Sequence, residues 1–259
     1  MVTLRELRDL TFDTYWAHTK YEEDVFRISK RVLDILGETK KAPIQGPQVA
    51  LVAKSLRDSG LSNGTVNRHL SCLSKMSSHQ ELLGLGPKPK MIWLKEPQGR
   101  TRILSLLEEE ALVEAMPMRS RDLVLFLLYT GARVSEALAV TEKDLEESQV
   151  TFRHTKTDRA RTVGLPSKAR GLGPFDLTQS QFSKDWAKAR ESLGFSEDPE
   201  FVPHMLRHTC ATRLVRSGAR LDLVQGQLGH SSITMVMRYA HAGDSEVLAL
   251  ADLLDDAGS

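Results

Sequence analysis

Cysteine is scarce in this 259-residue sequence: Cys72 and Cys210 are its only two, far apart and without a CxxC pair. Both read as small buried hydrophobes of a protein kept in a reducing cytoplasm. No apolar run approaches the ~18 residues of a membrane span, so no membrane partner is expected. The N-terminus, MVTLRELRDL, carries acids and lacks an apolar core, which argues against a secretory signal. There is no internal repeat and no low-complexity tract. Charge of one sign is lacking too, since the net charge is only +1 at pH 7. Its distribution says more. Residues 1–97 carry +4, residues 98–238 carry +2, and all five charges after Arg238 are acidic. A mildly basic body is masked by an acidic tail, which permits phosphate binding without demonstrating it.

What is present is mostly helical periodicity. Val25, Ile28, Val32, Leu33 and Leu36 recur at three- and four-residue spacing before Gly37. Val49, Val52, Ala53 and Leu56 repeat the pattern before Gly60. A third helix follows Asn63-Gly64 with Val66, Leu70 and Leu73 on one face, and Arg68 and Lys75 elsewhere on it. Residues 84–102, rich in proline, glycine and Lys/Arg, break the periodicity and mark a domain boundary. Beyond it, Ser105 and Glu108 have capping-box spacing, and helices are expected near 106–116, 119–130 and from 133. Residues 149–165 have β-branched ends around a polar centre, the signature of a hairpin with Thr155-Lys156-Thr157-Asp158 at its turn. Pro203 and Gly218 bracket a further helix, and two shorter ones end near Gly229 and His241. The expected class is mainly α with a small antiparallel β-sheet. The expected domains are 1–85, a linker over 86–101, and 102–259.

Four segments place polar residues within apolar, periodic surroundings. They are Thr130-Gly131-Ala132-Arg133-Val134-Ser135-Glu136, the hairpin Lys156, His204-Met205-Leu206-Arg207-His208, and Leu228-Gly229-His230 with Arg238-Tyr239 nine residues beyond the histidine. Arg133 and Arg207 suit one phosphate, because planar guanidinium forks match its oxygens and do not titrate. His204 and Arg207 share a helix face. Tyr239, whose free pKa is ~10, becomes a nucleophile only beside a base or cations. Alone, each residue has a plainer reading: Arg133 as a structural ion pair, Lys156 as an exposed turn lysine, Tyr239 as a core aromatic. A zinc reading of His204 and His208 fails because HMLRH lacks the glutamate of HExxH and holds a cation between the ligands.

In order and spacing, TGARVSEAL, HMLRH, LGH and the following tyrosine resemble the tyrosine recombinase family of phage-integrase type. The resemblance is strongest from about residue 100 onward and weaker over residues 1–85, where NGTVNRHLSCLSK resembles the last helix of the family's core-binding domain. It implies a two-domain clamp on DNA, with a helical core-binding domain and a catalytic domain. It also implies strand cutting and rejoining through a 3′-phosphotyrosine on Tyr239, with no cofactor and no metal. Arg133, Arg207 and His230 would bind phosphate, Lys156 would protonate the leaving oxygen, and His204 would be the general base. Glu136 would orient Arg133, and His208 would be a buried support. Arg68, Lys75, Lys88 and Lys90 would hold DNA phosphates. The implied partners are double-stranded DNA with specific recombination sites, a homotetramer formed on paired sites by a free monomer, and an excisionase-like or host accessory protein. Val247, Leu248, Leu250, Leu253 and Leu254 would form a tail helix that docks on a neighbouring subunit. Many phage integrases carry an extra N-terminal arm-binding domain for which this length has no room, so either the protein works without arm sites or the chain is a fragment. Two alternatives use overlapping residues: a type IB topoisomerase-like enzyme, and a non-catalytic DNA-binding architectural protein.

Overall fold

Helices make up nearly all the regular structure in the computed structural model, which describes residues 2–96, 102–153 and 160–239. The chain divides into two units, residues 1–98 and 99–259. The first holds α1 (Leu4–Tyr15), α2 (Glu22–Leu36), α3 (Gly46–Asp58) and α4 (Asn63–Leu82). α1, started by a capping box of Thr3 and Glu6, is an element that the apolar periodicity does not predict. It buries only Leu4, Leu7 and Thr11, too few positions for a clear period. Glu22, Glu23 and Asp24 open α2 at the positive end of its dipole. Gly37, at φ 84°, closes it in a conformation that favours glycine. Leu33, Leu36, Val52, Leu56, Leu70 and Leu73 from three helices form one buried core. Each such side chain contributes about 1.5–3 kcal/mol of transfer free energy, so this unit has a core of its own.

Residues up to Glu96 of the expected linker are held on that core. Gln80 bridges Ile44 and the Pro87 carbonyl, Asn67 exchanges hydrogen bonds with the Leu94 backbone, and Met91 and Leu94 pack below. Proline and glycine there mark an extended strap, which periodicity cannot tell from a linker.

The second unit holds α5 (Leu106–Ala115), α6 (Met118–Thr130), α7 (Val134–Leu138), β1 (Gln149–Phe152), β2 (Arg161–Gly164), α8 (Gln179–Ser192), α9 (His204–Arg216), α10 (Leu221–Leu228) and α11 (Thr234–Met237). The strands form a two-stranded antiparallel sheet in which Phe152 faces Arg161. The hairpin turn, with Lys156, lies outside the described residues, as do the tail leucines. α6 is the central element: Leu123, Val124, Phe126, Leu127 and Leu128 are buried, and it packs on α9. α8 was not expected individually. It buries Phe182, Asp185, Trp186 and Ala189, and Asp185 is held by Arg119 and Ser120. Among the described residues, no helix is long and apolar enough to cross a membrane.

Candidate active site

Gly131 starts the site. It ends α6 in the left-handed region, and a Cβ there would lie 2.6 Å from Leu228 Cδ2 and 3.2 Å from Cys210 Sγ. Only glycine lets the ends of α6 and α10 approach this closely. Their carbonyls then serve one side chain. Arg207, 2% exposed on α9, donates from Nη1 to the Gly131 carbonyl at 2.7 Å and from Nη2 to the Leu228 carbonyl. Among the described residues no carboxylate pairs with it. Burial, and next the charge of Arg133, pull its pKa down to about 9, against the opposing pull of Glu136.

Arg133 follows directly from the Gly131 turn and precedes α7. Glu136 accepts from its backbone N–H at 2.9 Å and from Nη1 at 2.6 Å. The other partner of Glu136 went unnoticed in the sequence. Arg161, the first residue of β2, donates from both terminal nitrogens to the two Glu136 oxygens, at 3.1 and 2.8 Å. Its Nε donates to the Gln227 carbonyl, and its guanidinium stacks on Phe152 at 4.7 Å. Burial alone would raise the Glu136 carboxyl, but the Arg161 and Arg133 hydrogen bonds and charges hold it at about 2. The triad carries a net single positive charge, so Arg161 offsets Glu136 and leaves the charge of Arg133 available. Nothing in the local pattern marks Arg161, because its role depends on Phe152 across the sheet and on a glutamate 25 residues away.

His204 begins α9 and lines a cleft of about 390 Å³ with Arg133, Ser135, Gln179 and Pro203. His230 follows Gly229, which ends α10 in the left-handed region. Its Nδ1 is buried and has no hydrogen-bond partner among the described residues. Burial, followed by Arg207, Arg133, Arg238 and His204, lowers its pKa to about 4, so the ring is neutral at pH 7. Tyr239 is half-buried against the cluster of Ala211, Val224, Leu228 and Val236. Its hydroxyl lies 2.6 Å from Nδ1 of His208, and burial raises its pKa against the pull of Arg207 and Arg238. Arg207 is thus coupled by charge to Arg133, His230 and Tyr239, and His230 also to His204, which brings three of the four sequence segments to one place.

The residues expected to hold DNA are scattered. Arg68 lines a cleft of about 510 Å³ in the first unit with Arg27, Lys30 and Arg31, three cations that the sequence reading did not select. Lys75 instead places its ammonium 3.5 Å from the Tyr15 ring centroid, in a cation–π contact. Lys88 and Lys90 are exposed on the strap.

Comparison with known proteins fixes the family. The phage integrase family pattern matches residues 176–246. The tyrosine recombinase XerC of Bacillus pumilus is 31% identical over 71% of this chain and 72% of its own length. This chain belongs to the tyrosine recombinases. The integrase of Escherichia phage P2 is 29% identical over 92% of the chain and 73% of its own length. Among solved structures, the integrase of transposon Tn1549 in complex with transposon right-end DNA superposes with a TM-score of 0.80. It covers 98% of this chain and 100% of the other at 18% identity, a likeness of fold. The recombinase described here therefore shares both a mainly helical fold and an enzyme class with these relatives.

Proposed function

We propose that this recombinase cuts and rejoins DNA at specific sites through a 3′-phosphotyrosine link on Tyr239. The observation that carries the proposal is the environment of Arg207. A buried guanidinium bonded only to neutral carbonyls, beside a second arginine, is costly unless an anion completes it. A phosphodiester fits, because Arg133 and Arg207 can each offer a fork to its oxygens. They would also stabilise the extra charge of the pentacoordinate transition state, typically the largest catalytic contribution. His230, neutral, would donate one hydrogen bond to the phosphate, and His204 stands on the cleft wall beside Arg133. Lys156, five residues before Arg161 in sequence, would give the 5′ oxygen its proton. The phosphotyrosine conserves the bond energy, so a 5′-hydroxyl can reseal the strand.

The first unit would be the core-binding domain, holding backbone phosphates with Arg68, Arg27, Lys30 and Arg31. Recombination requires paired sites, hence a tetramer on DNA. One feature supports contact between copies. An apolar groove of about 450 Å³, lined by Leu165, Leu214, Ala219, Leu223 and Val224, fits the leucine-bearing tail after Tyr239 from a second copy. Deleting residues 243–259 should impair synapsis while leaving cleavage of single sites; a fully active truncation overturns that assembly.

The central test is covalent trapping on a nicked duplex that carries the DNA flanking the gene. The wild type should give a denaturant-resistant adduct that Tyr239→Phe does not form. An equally abundant adduct from Tyr239→Phe would show that another residue is the nucleophile.

A further inference from the structure

We infer that His208 is a catalytic residue whose Nδ1 takes the Tyr239 phenol proton as the oxygen attacks phosphorus. The inference rests on the recombinase reading of the site. Its geometric basis is the 2.6 Å separation of His208 Nδ1 and Tyr239 Oη, the length of a strong hydrogen bond. The two residues are 31 apart in sequence, so tertiary packing of α9 against the segment after α11 creates the contact. One helical turn separates His208 from His204, and the rings meet edge to face with centroids 4.8 Å apart. His204 is exposed on the cleft that Arg133 lines, whereas His208 is buried on the tyrosine. The histidines would thus divide the work: His204, which the family resemblance makes the general base, lines the cleft with Arg133, while His208, there expected only as a support, takes the base role beside the nucleophile.

The surroundings favour a neutral His208 ring, which can act as a base. A neutral imidazole has one N–H and one lone pair. Burial above all, then Arg238 and Arg207, disfavours the imidazolium of His208, while Glu200 opposes them. Among the described residues, the other ionisable groups against the ring are His204 and Tyr239 itself. A neutral ring at this distance exists as one of two tautomers, and the proposed transfer uses the one with its proton on Nε2, in which the phenol donates to the Nδ1 lone pair. Burial likewise keeps Tyr239 protonated, so the free protein carries no stray phenolate. A scissile phosphate on Arg207 offsets one of the two cations that depress His208, making the imidazolium more accessible when attack begins.

The step balances without a co-reactant. The phenol O–H bond breaks, its proton goes to Nδ1, and the oxygen lone pair forms the Oη–P bond. The P–O5′ bond breaks, and the 5′ oxygen leaves with the proton assigned to Lys156. When a 5′-hydroxyl later attacks, its proton returns to that amine and Nδ1 returns the first proton to Oη.

Two measurements on the full chain test this. In ¹⁵N-histidine NMR without DNA, His208 should show an unprotonated Nδ1 whose shift moves in Tyr239→Phe; a protonated Nδ1 overturns the inference. In single-turnover trapping on the nicked flanking-sequence duplex, His208→Asn should bind DNA like the wild type but form adduct about 10²–10⁴-fold more slowly. The defect should shrink as pH rises, because hydroxide replaces the lost base, and imidazole should rescue His208→Ala. Wild-type rates from His208→Asn, or a defect equal at every pH, overturn the role of His208 alone. No adduct from the wild type brings down the recombinase reading and this proton transfer together.

Discussion

Two arginines in the second unit, Arg102 and Arg207, show how differently the same side chain can be placed. Arg102 is clasped by Glu108 at 2.7 Å and Asp198 at 2.6 Å, and its guanidinium lies 4.9 Å from the ring centroids of both Phe195 and Phe201. Although burial lowers its pKa, the two carboxylates more than reverse that, and the net direction is upward. Arg207 is more deeply buried, has only carbonyls, and its pKa moves down to about 9. Arg102 is electrically complete and joins the segment before α5 to the loop before α9. Arg207, on the reading proposed above, is completed by an anion. A buried cation satisfied by carboxylates is architecture; one satisfied only by dipoles is a binding site held ready.

The comparison breaks most sharply on paired substitutions. Arg207→Met should lower adduct formation at least about 10³-fold, since both a phosphate fork and transition-state charge are lost. Arg102→Met should leave the rate per folded molecule within a few-fold and instead destabilise the fold by about 1–3 kcal/mol, because two carboxylates lose their partner. Inorganic phosphate should then raise the Tm of the wild type and of Arg102→Met, but not of Arg207→Met. Equal phosphate stabilisation of all three proteins would show that the anion does not bind at Arg207.

Arg161 lies between these extremes, both structural clasp and charge regulator. Replacing it with methionine leaves the Glu136 carboxylate to neutralise Arg133 alone. Adduct formation should fall about 10–10²-fold, and Glu136→Gln in the same chain should restore part of it, with a coupling of about 0.5–3 kcal/mol in a double-mutant cycle. Strict additivity in that cycle would show that Arg161 acts on something other than Glu136.

This arrangement explains which parts were legible in the sequence. Helices whose apolar face repeats over three turns, such as α2 and α3, declare themselves, as do Gly37 and Gly131, where the chain must turn left-handed. The boxes around Arg133, Arg207, His230 and Tyr239 were visible through their shared order and spacing, which resemble the tyrosine recombinases, whereas each residue alone has a plainer reading. Arg161 was invisible, since an arginine at a strand end acquires meaning only when Phe152 pairs across the sheet and Glu136 swings in from α7. The contact of His208 with Tyr239 was hidden for the same reason. Lys75 shows a contact that sequence could not announce, since the ring of Tyr15 meets its ammonium only through tertiary packing of α1 on α4.

The smallest expected effect concerns His230, and it asks whether the depressed charge of the site is real. Its pKa is about 4 in the folded protein, below the ordinary value of 6.5. Between pH 6.5 and 4 the unfolded chain therefore binds a proton that the folded chain refuses, and stability falls as pH drops through that window. Above 6.5 both states are neutral and the residue contributes no slope. His230→Asn should flatten this part of the stability curve, measured by urea unfolding from pH 4 to 7. Phosphate should act in the same direction by a different route. An anion on Arg207 and Arg133 cancels the charges that depress the ring, so the NMR titration midpoint of His230 should move up toward 6.5. A midpoint that ignores phosphate would mean that burial alone holds the ring neutral, and that the two arginines meet their anion out of its reach.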